Sequence, residues 1–237
     1  MAGVWRFAYV RARLERTFGS VVVMTENPKQ SVRGAALRKL VLDTALERFS
    51  RDGYFNTSIH DIRRQAGVSI GSIYHHFGNK EALAKALYDD LLQRMDAGLA
   101  EVMGRESDCR ARCDGIIAFL FEAVIEAPQA MRFVLEARHR EFLPDEPPVC
   151  SSQPFQRMRE CIEQGIQSGD VRPMEVPVAA TAAFGGAIRL LHLHLDGALE
   201  RPLPHYLSET QEAAWRAIVM PPPDNPYPAS TPKESPL

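Results

Sequence analysis

Apolar residues recur at helical intervals along most of this chain, and no stretch sustains the strict alternation of a half-buried strand. Leu37, Leu40, Val41, Ala45, Leu46 and Phe49 form the first stripe and predict a helix over about 35–51, ended by Asp52 and Gly53. Two short helices follow. Ser58-Ile59-His60-Asp61 is a hydroxyl–x–x–acid start, in which the hydroxyl takes an unpaired backbone N–H and the acid suits the positive helix end. Ile59, Ile62 and Ala66 share one face of that helix, which stops at Gly67. Ser69 caps the second, Ile70 to His76, and Gly78-Asn79 breaks it. Asn79 in turn caps a long helix carrying Leu83, Leu87, Leu91, Met95, Leu99 and Val102 on one stripe. Later helices are expected at about 110–126, 129–142, 153–168, 176–199 and 207–219, separated by loops around Pro144–Pro148 and Gly169–Pro173. The fold class is therefore all-α. Seven of the last 17 residues are proline, which predicts a disordered tail over 221–237.

Two short helices joined at a glycine turn, behind a supporting helix, have the form of a DNA-binding helix-turn-helix. Ile59, Ile62, Ala66, Val68, Ile73 and Phe77 can supply the small core that fixes the angle between them. The other face of the second helix then shows Ser69, Ile70, Gly71, Ser72, Tyr74 and His75, with no acid and little bulk. A major groove about 12 Å wide accepts such a face readily. Tyr74, His75, His76 and Lys80 follow as donors able to reach a phosphate strand.

Charge distribution changes the picture more than net charge, which is only −2. From Arg33 to Lys85 nine Lys/Arg face five Asp/Glu, a balance of +4, whereas Ala86 to Leu237 hold 14 Lys/Arg and 23 Asp/Glu, a balance of −9. A compact basic block beside an acidic remainder fits one small domain that meets phosphates. The expected division is a leader over 1–32, a DNA-binding domain over 33–80, a larger helical domain over 81–220 and the tail. The leader reads as an over-extended start, with a polar segment beginning at Met24, or as a disordered basic arm.

Residues 54–87, YFNTSIHDIRRQAGVSIGSIYHHFGNKEALAKAL, closely resemble the DNA-binding module of TetR/AcrR-type regulators, and the resemblance covers about 50 residues. It implies roles for particular positions. Tyr74 resembles the tyrosine that touches backbone and base edge, and Ser69, Ile70 and Gly71 stand where recognition-helix residues approach bases. His60 stands where some members use a longer base-reading side chain. Ser58, Ser72, His75, His76 and Lys80 match phosphate-contacting positions. Ile70 and Gly71 offer no side-chain hydrogen bonds, so specificity there would lean on methyl contacts and DNA shape.

The resemblance further implies a helical effector domain with an apolar cavity and homodimerisation through the last two helices. Phe119, Met131, Phe133, Phe155, Met158 and Phe184 are the cavity candidates, with Arg189 and His192 as anchors for a polar or anionic group. The expected partners are a palindromic duplex operator, a second copy of the chain and a small-molecule effector of unknown identity. A cytoplasmic repressor released by its effector is the expected function; activation, ligand-independent action and a helical protein-interaction module are the alternatives. No membrane association is expected, because Pro, Thr and Gly interrupt the most apolar stretch, Val176 to Ile188.

Enzyme chemistry finds little purchase: HExxH and a phosphate-binding glycine loop are missing from the sequence, and no catalytic residue is assigned. Cys109, Cys113, Cys150 and Cys161 form no CxxC pair or zinc-finger spacing. They are taken as reduced thiols, with a redox or metal sensor as the alternative, and no cofactor or metal is expected.

Overall fold

The computed structural model describes residues 28–136 and 139–220, and among these the architecture is helical, with one isolated antiparallel bridge between Val171 and Val219. The expected tail lies outside the described residues, as does the leader up to residue 27. Helix α1 spans Pro28–Asp52, so it starts seven residues before the expected 35 and takes the end of the leader with it. Proline at its first position has φ preset for a helix and loses no hydrogen bond there. Val41, Leu42, Ala45 and Phe49 are its buried face, while Leu40, part of the expected stripe, is 45% exposed, and Leu42, outside that stripe, is buried.

Helices α2 (Ile59–Ala66) and α3 (Ile70–Phe77) are the expected short pair, and α4 (Lys80–Arg105) is the long helix behind them. All six residues of the expected α4 stripe are buried. The apolar face turns α4 into a spine: it packs on α1 and α3 of the N-terminal module and on α5 (Cys109–Glu126), α6 (Pro128–Leu135) and α8 (Gln153–Ser168). Asp96 on α4 and Arg157 on α8 reinforce one of these seams through paired bonds of 2.7 and 2.9 Å.

The single helix expected over 129–142 is instead α6 followed by the short α7 (His139–Phe142). This break puts Phe142 back against the N-terminal module, where it is buried. A 3-10 turn (Val149–Ser151) leads into α8, and α9 (Val176–Leu195) and α10 (Leu207–Ile218) close the domain. Helix α9 ends at Leu195 rather than 199, because Gly197 takes a left-handed φ of 67°. Helix α9 packs on α5, α8 and α10, yet keeps much of its surface open.

Candidate nucleic-acid interface

The helix-turn-helix is built almost entirely by short-range bonds. Ser58 Oγ accepts from the Asp61 N–H at 3.1 Å while the Ser58 N–H donates to the Asp61 carboxylate at 3.1 Å, a complete capping box. The Ser58 hydroxyl, 2.6 Å from the Asp61 carboxylate, and then the Ser58 N–H hold the Asp61 carboxyl below the usual range. Helix α2 ends where Gly67 turns left-handed, at φ 66°, a conformation that costs any residue with a Cβ about 1–2 kcal/mol. One residue after Val68, Ser69 accepts from the Ser72 N–H at 3.1 Å and starts α3. Asn79 accepts from Ala82 N–H at 2.7 Å and starts α4. Each of these three caps stabilises its helix by about 1 kcal/mol.

Beneath the caps, Ile59, Ile62, Ile73 and Phe77 are buried, with Ala66 and Val68 half-buried at the rim. Thr57, which sequence reasoning passed over, is 2% exposed and donates to Gly53 O at 2.9 Å. Arg48 and Glu47 of α1 reach Gln65 of α2 at 2.5 and 2.6 Å, tying the supporting helix to the pair.

What this frame presents is the outer face of α3. Ser69, Gly71, Tyr74, His75 and His76 are exposed, Ser58 and His60 are exposed on the neighbouring helix, and Ser72 is half-buried. No carboxylate lies on α3. Tyr74 stands out as a large side chain left 47% exposed on so small a helix. Ile70 is half-buried against the core, so only part of it is available to a partner. The rings of His75 and His76 meet edge to face at 5.4 Å. Burial, then the neighbouring His75 and Arg38 charges, push the His76 imidazole below the ordinary histidine range.

Lys80 departs from its expected place. Its ammonium turns inward, donates to Tyr54 O and Thr57 O at 2.9 Å each, and lies 4.1 Å from the Tyr54 ring centroid. Two of its three donors thus close the turn before α2, and burial lowers its pKa. Lys80 clamps the module rather than projecting from it.

The cavity candidates are scattered through the larger domain. Phe119, Met131, Met158 and Phe184 are buried in its core, and Phe155 is half-buried. Phe133 instead joins an aromatic group at the junction with the N-terminal module, 6.2 Å from Phe49 and 6.3 Å from Phe142. Arg189 lies exposed on α9, and His192 is occupied by Ile188 O at 2.8 Å through Nδ1. Two clefts open elsewhere. One of about 380 Å³ lies between α1, α6 and the end of α9, lined by Arg51, Gln129, Arg132 and His194 among others. Another of about 450 Å³ lies between α4, the Pro147–Pro148 loop and the start of α8, lined by Tyr88, Asp89, Gln93, Glu146 and Gln156 among others. None of the eight expected cavity residues lines either cleft.

The family model for bacterial regulatory proteins of the tetR family matches residues 41–87, the same helix-turn-helix with part of α1 and the start of α4. The chain belongs to the TetR family. Beyond the module, the chain is 26% identical over 154 residues to the HTH-type transcriptional repressor KstR2 of Rhodococcus jostii, covering 63% of this chain and 75% of that one. A TetR family transcription regulator from Marinobacter aquaeolei shares the fold with a TM-score of 0.65 at 23% identity, over 79% of this chain and 97% of that one. The transcriptional regulator FadR of Bacillus subtilis, solved in complex with stearoyl-CoA, superposes with a TM-score of 0.66 at 19% identity, over 76% and 98% of the two chains. This TetR-family chain is thus a DNA-binding transcription regulator.

Proposed function

We propose that this regulator works as a homodimeric repressor that reads a palindromic operator and releases it on binding a small molecule. The observation that carries the DNA reading is the outer face of α3: acid-free, rigidly capped at its start, and headed by an exposed Tyr74. In this reading Tyr74, Ser69, Gly71 and the exposed part of Ile70 meet base edges, with His60 beside them. Ser58, Ser72, His75 and His76 meet phosphates. Lys80 acts from behind, by fixing the turn that presents Ser58 and α2.

Dimerisation is supported by α9. It is long and apolar enough to cross a membrane by composition, with a mean hydropathy of 1.4, and only 28% of that window is buried. Val178 is 56% exposed on it, with Thr181, Gly186 and Arg189 also exposed. A second copy laid on α9 and α10 covers this surface and sets two α3 helices about 34–36 Å apart, one turn of duplex.

Repression is supported by the name of the R. jostii relative. Effector control is supported by the way α4 joins the two parts: a ligand that spreads α4, α5 and α8 changes the spacing of the two reading heads. Phe119, Met158 and Phe184 then face the ligand in the opened state, and the 450 Å³ cleft is its entrance. The experiment is selection of duplexes from a random library by the purified chain. Enrichment of an inverted repeat supports the dimeric reader; enrichment of single half-sites, or none at low salt, contradicts it.

A further inference from the structure

Cys109 and Cys113 lie one turn apart at the start of α5, and Cys161 faces them from α8 although 52 residues separate it from Cys109. All three are buried, at 5%, 2% and 1% exposure, and their sulfur atoms all lie within 4.8 Å of one another. We propose that these three thiols form a binding site for a trivalent thiophilic ion of the arsenite class. The geometry is close to what such a site needs. With a sulfur–ion bond of about 2.3 Å, as for zinc thiolates, and the pyramidal angles imposed by the lone pair, the sulfurs would sit about 3.5 Å apart, reached from the present spacing by rotamer adjustment.

Charge selects the ion. Three thiolates with a monovalent ion leave a net −2, and with a divalent ion −1, each costly in an apolar interior. The charged groups acting on Cys109 are Asp170 and Arg112, of opposite sign, so the surroundings do not offset an excess of either charge. A trivalent centre leaves none. The exchange balances without electron transfer: As(OH)₃ and three thiols give the tris-thiolate and three waters, each hydroxyl leaving with one thiol proton. A disulfide would use two of the three sulfurs and require an oxidant.

The helix crossing is shaped to admit the sulfur. A methyl group at Gly165 would overlap Cys109 Sγ and come within 2.8 Å of Val171, so α8 has no side chain where the sulfur sits. The Cys109 thiol points across the gap, 3.9 Å from Cys161 O. Gly165 is therefore a positioning residue for the site.

The test uses the reduced full-length chain and sodium arsenite, without DNA, so it stands apart from the regulatory reading. Mass spectrometry under native conditions and alkylation of the remaining thiols at neutral pH in mild denaturant, compared with the arsenite-free chain, are the readouts. One arsenic per chain, with Cys109, Cys113 and Cys161 protected and Cys150 alkylated, is the expected result. Cys150→Ala leaves binding unchanged, whereas Cys113→Ala ends three-thiol protection. Gly165→Ala retains every thiol and weakens binding about tenfold or more, as expected of a lost positioning contact. No arsenic bound to the wild-type chain, protection of only two thiols, or uptake of Cu(I) with arsenite ignored would overturn the assignment; these readings need no variant to fold.

Discussion

The rings of Tyr54 and Phe142 stack with centroids 4.2 Å apart and planes 17° from parallel. One belongs to the turn before the helix-turn-helix, the other to the short α7 of the larger domain. Phe49 and Phe133 extend the contact on either side, at 5.3 Å from Tyr54 and 6.3 Å from Phe142. The reading head is thereby joined to the effector domain by an aromatic seam in addition to α4.

Phe142→Ala removes the centre of that seam. Replacing a buried Phe by Ala costs about 3–5 kcal/mol, and the lower end is expected here because α7 is a single turn at the edge of the core. Thermal unfolding should show a clear fall in Tm with helix content kept. An unchanged Tm would mean that the stack carries no stability.

Lys80→Ala separates a clamp from a phosphate contact. Two backbone carbonyls lose their charge-assisted donor, which costs about 1.5–3 kcal/mol per bond to a charged group at most. The expected outcome is a lower Tm with the salt dependence of operator affinity intact. A slope of log affinity against log salt reduced by about one unit, with Tm unaltered, would return Lys80 to the phosphate-contacting set.

His76 predicts the pH response of binding. In the free protein its pKa is lowered by burial and then by His75 and Arg38, which favours the neutral imidazole. A phosphate beside it favours the imidazolium, hence binding takes up a proton and affinity rises as pH falls from 8 toward 6. Calorimetry in buffers of different ionisation enthalpy reads the uptake directly. His76→Gln should flatten the dependence; persistence of the full effect in that variant would assign it elsewhere.

Ser58→Ala deletes the hydroxyl half of the capping box at α2 and leaves the backbone N–H that donates to the Asp61 carboxylate. A loss of about 1 kcal/mol is expected, measured by urea unfolding, with a larger loss of operator affinity because Ser58 is also exposed to the strand. Equal losses in stability and affinity would leave Ser58 as a cap alone.

The helix-turn-helix was legible because its signals are local: three caps, a left-handed glycine and apolar residues three and four apart all lie within some twenty residues of Ser58. The inward turn of Lys80 was not, since its acceptors lie 23 and 26 residues back and a lysine's four-carbon stem reaches either way. The break between α6 and α7 escaped the pattern because no glycine or proline marks it. Its purpose, seating Phe142 on Tyr54, is a tertiary contact 88 residues long in sequence. The cysteine cluster likewise depends on how α5 and α8 cross. Cavity residues were the least legible: a Phe that lines a ligand and a Phe that fills a core have the same periodicity, and Phe133 fills the core at the junction with the N-terminal module.

The most direct test of the account is the affinity of wild type and Tyr74→Ala for an enriched inverted repeat, measured by fluorescence anisotropy across a salt series. The account predicts steeply salt-dependent binding by wild type. It predicts a loss of at least tenfold for Tyr74→Ala with the same Tm, since the side chain is exposed and packs little. Equal affinity of the two proteins, or binding indifferent to salt, would contradict the assignment of this face of α3 as the reader of DNA.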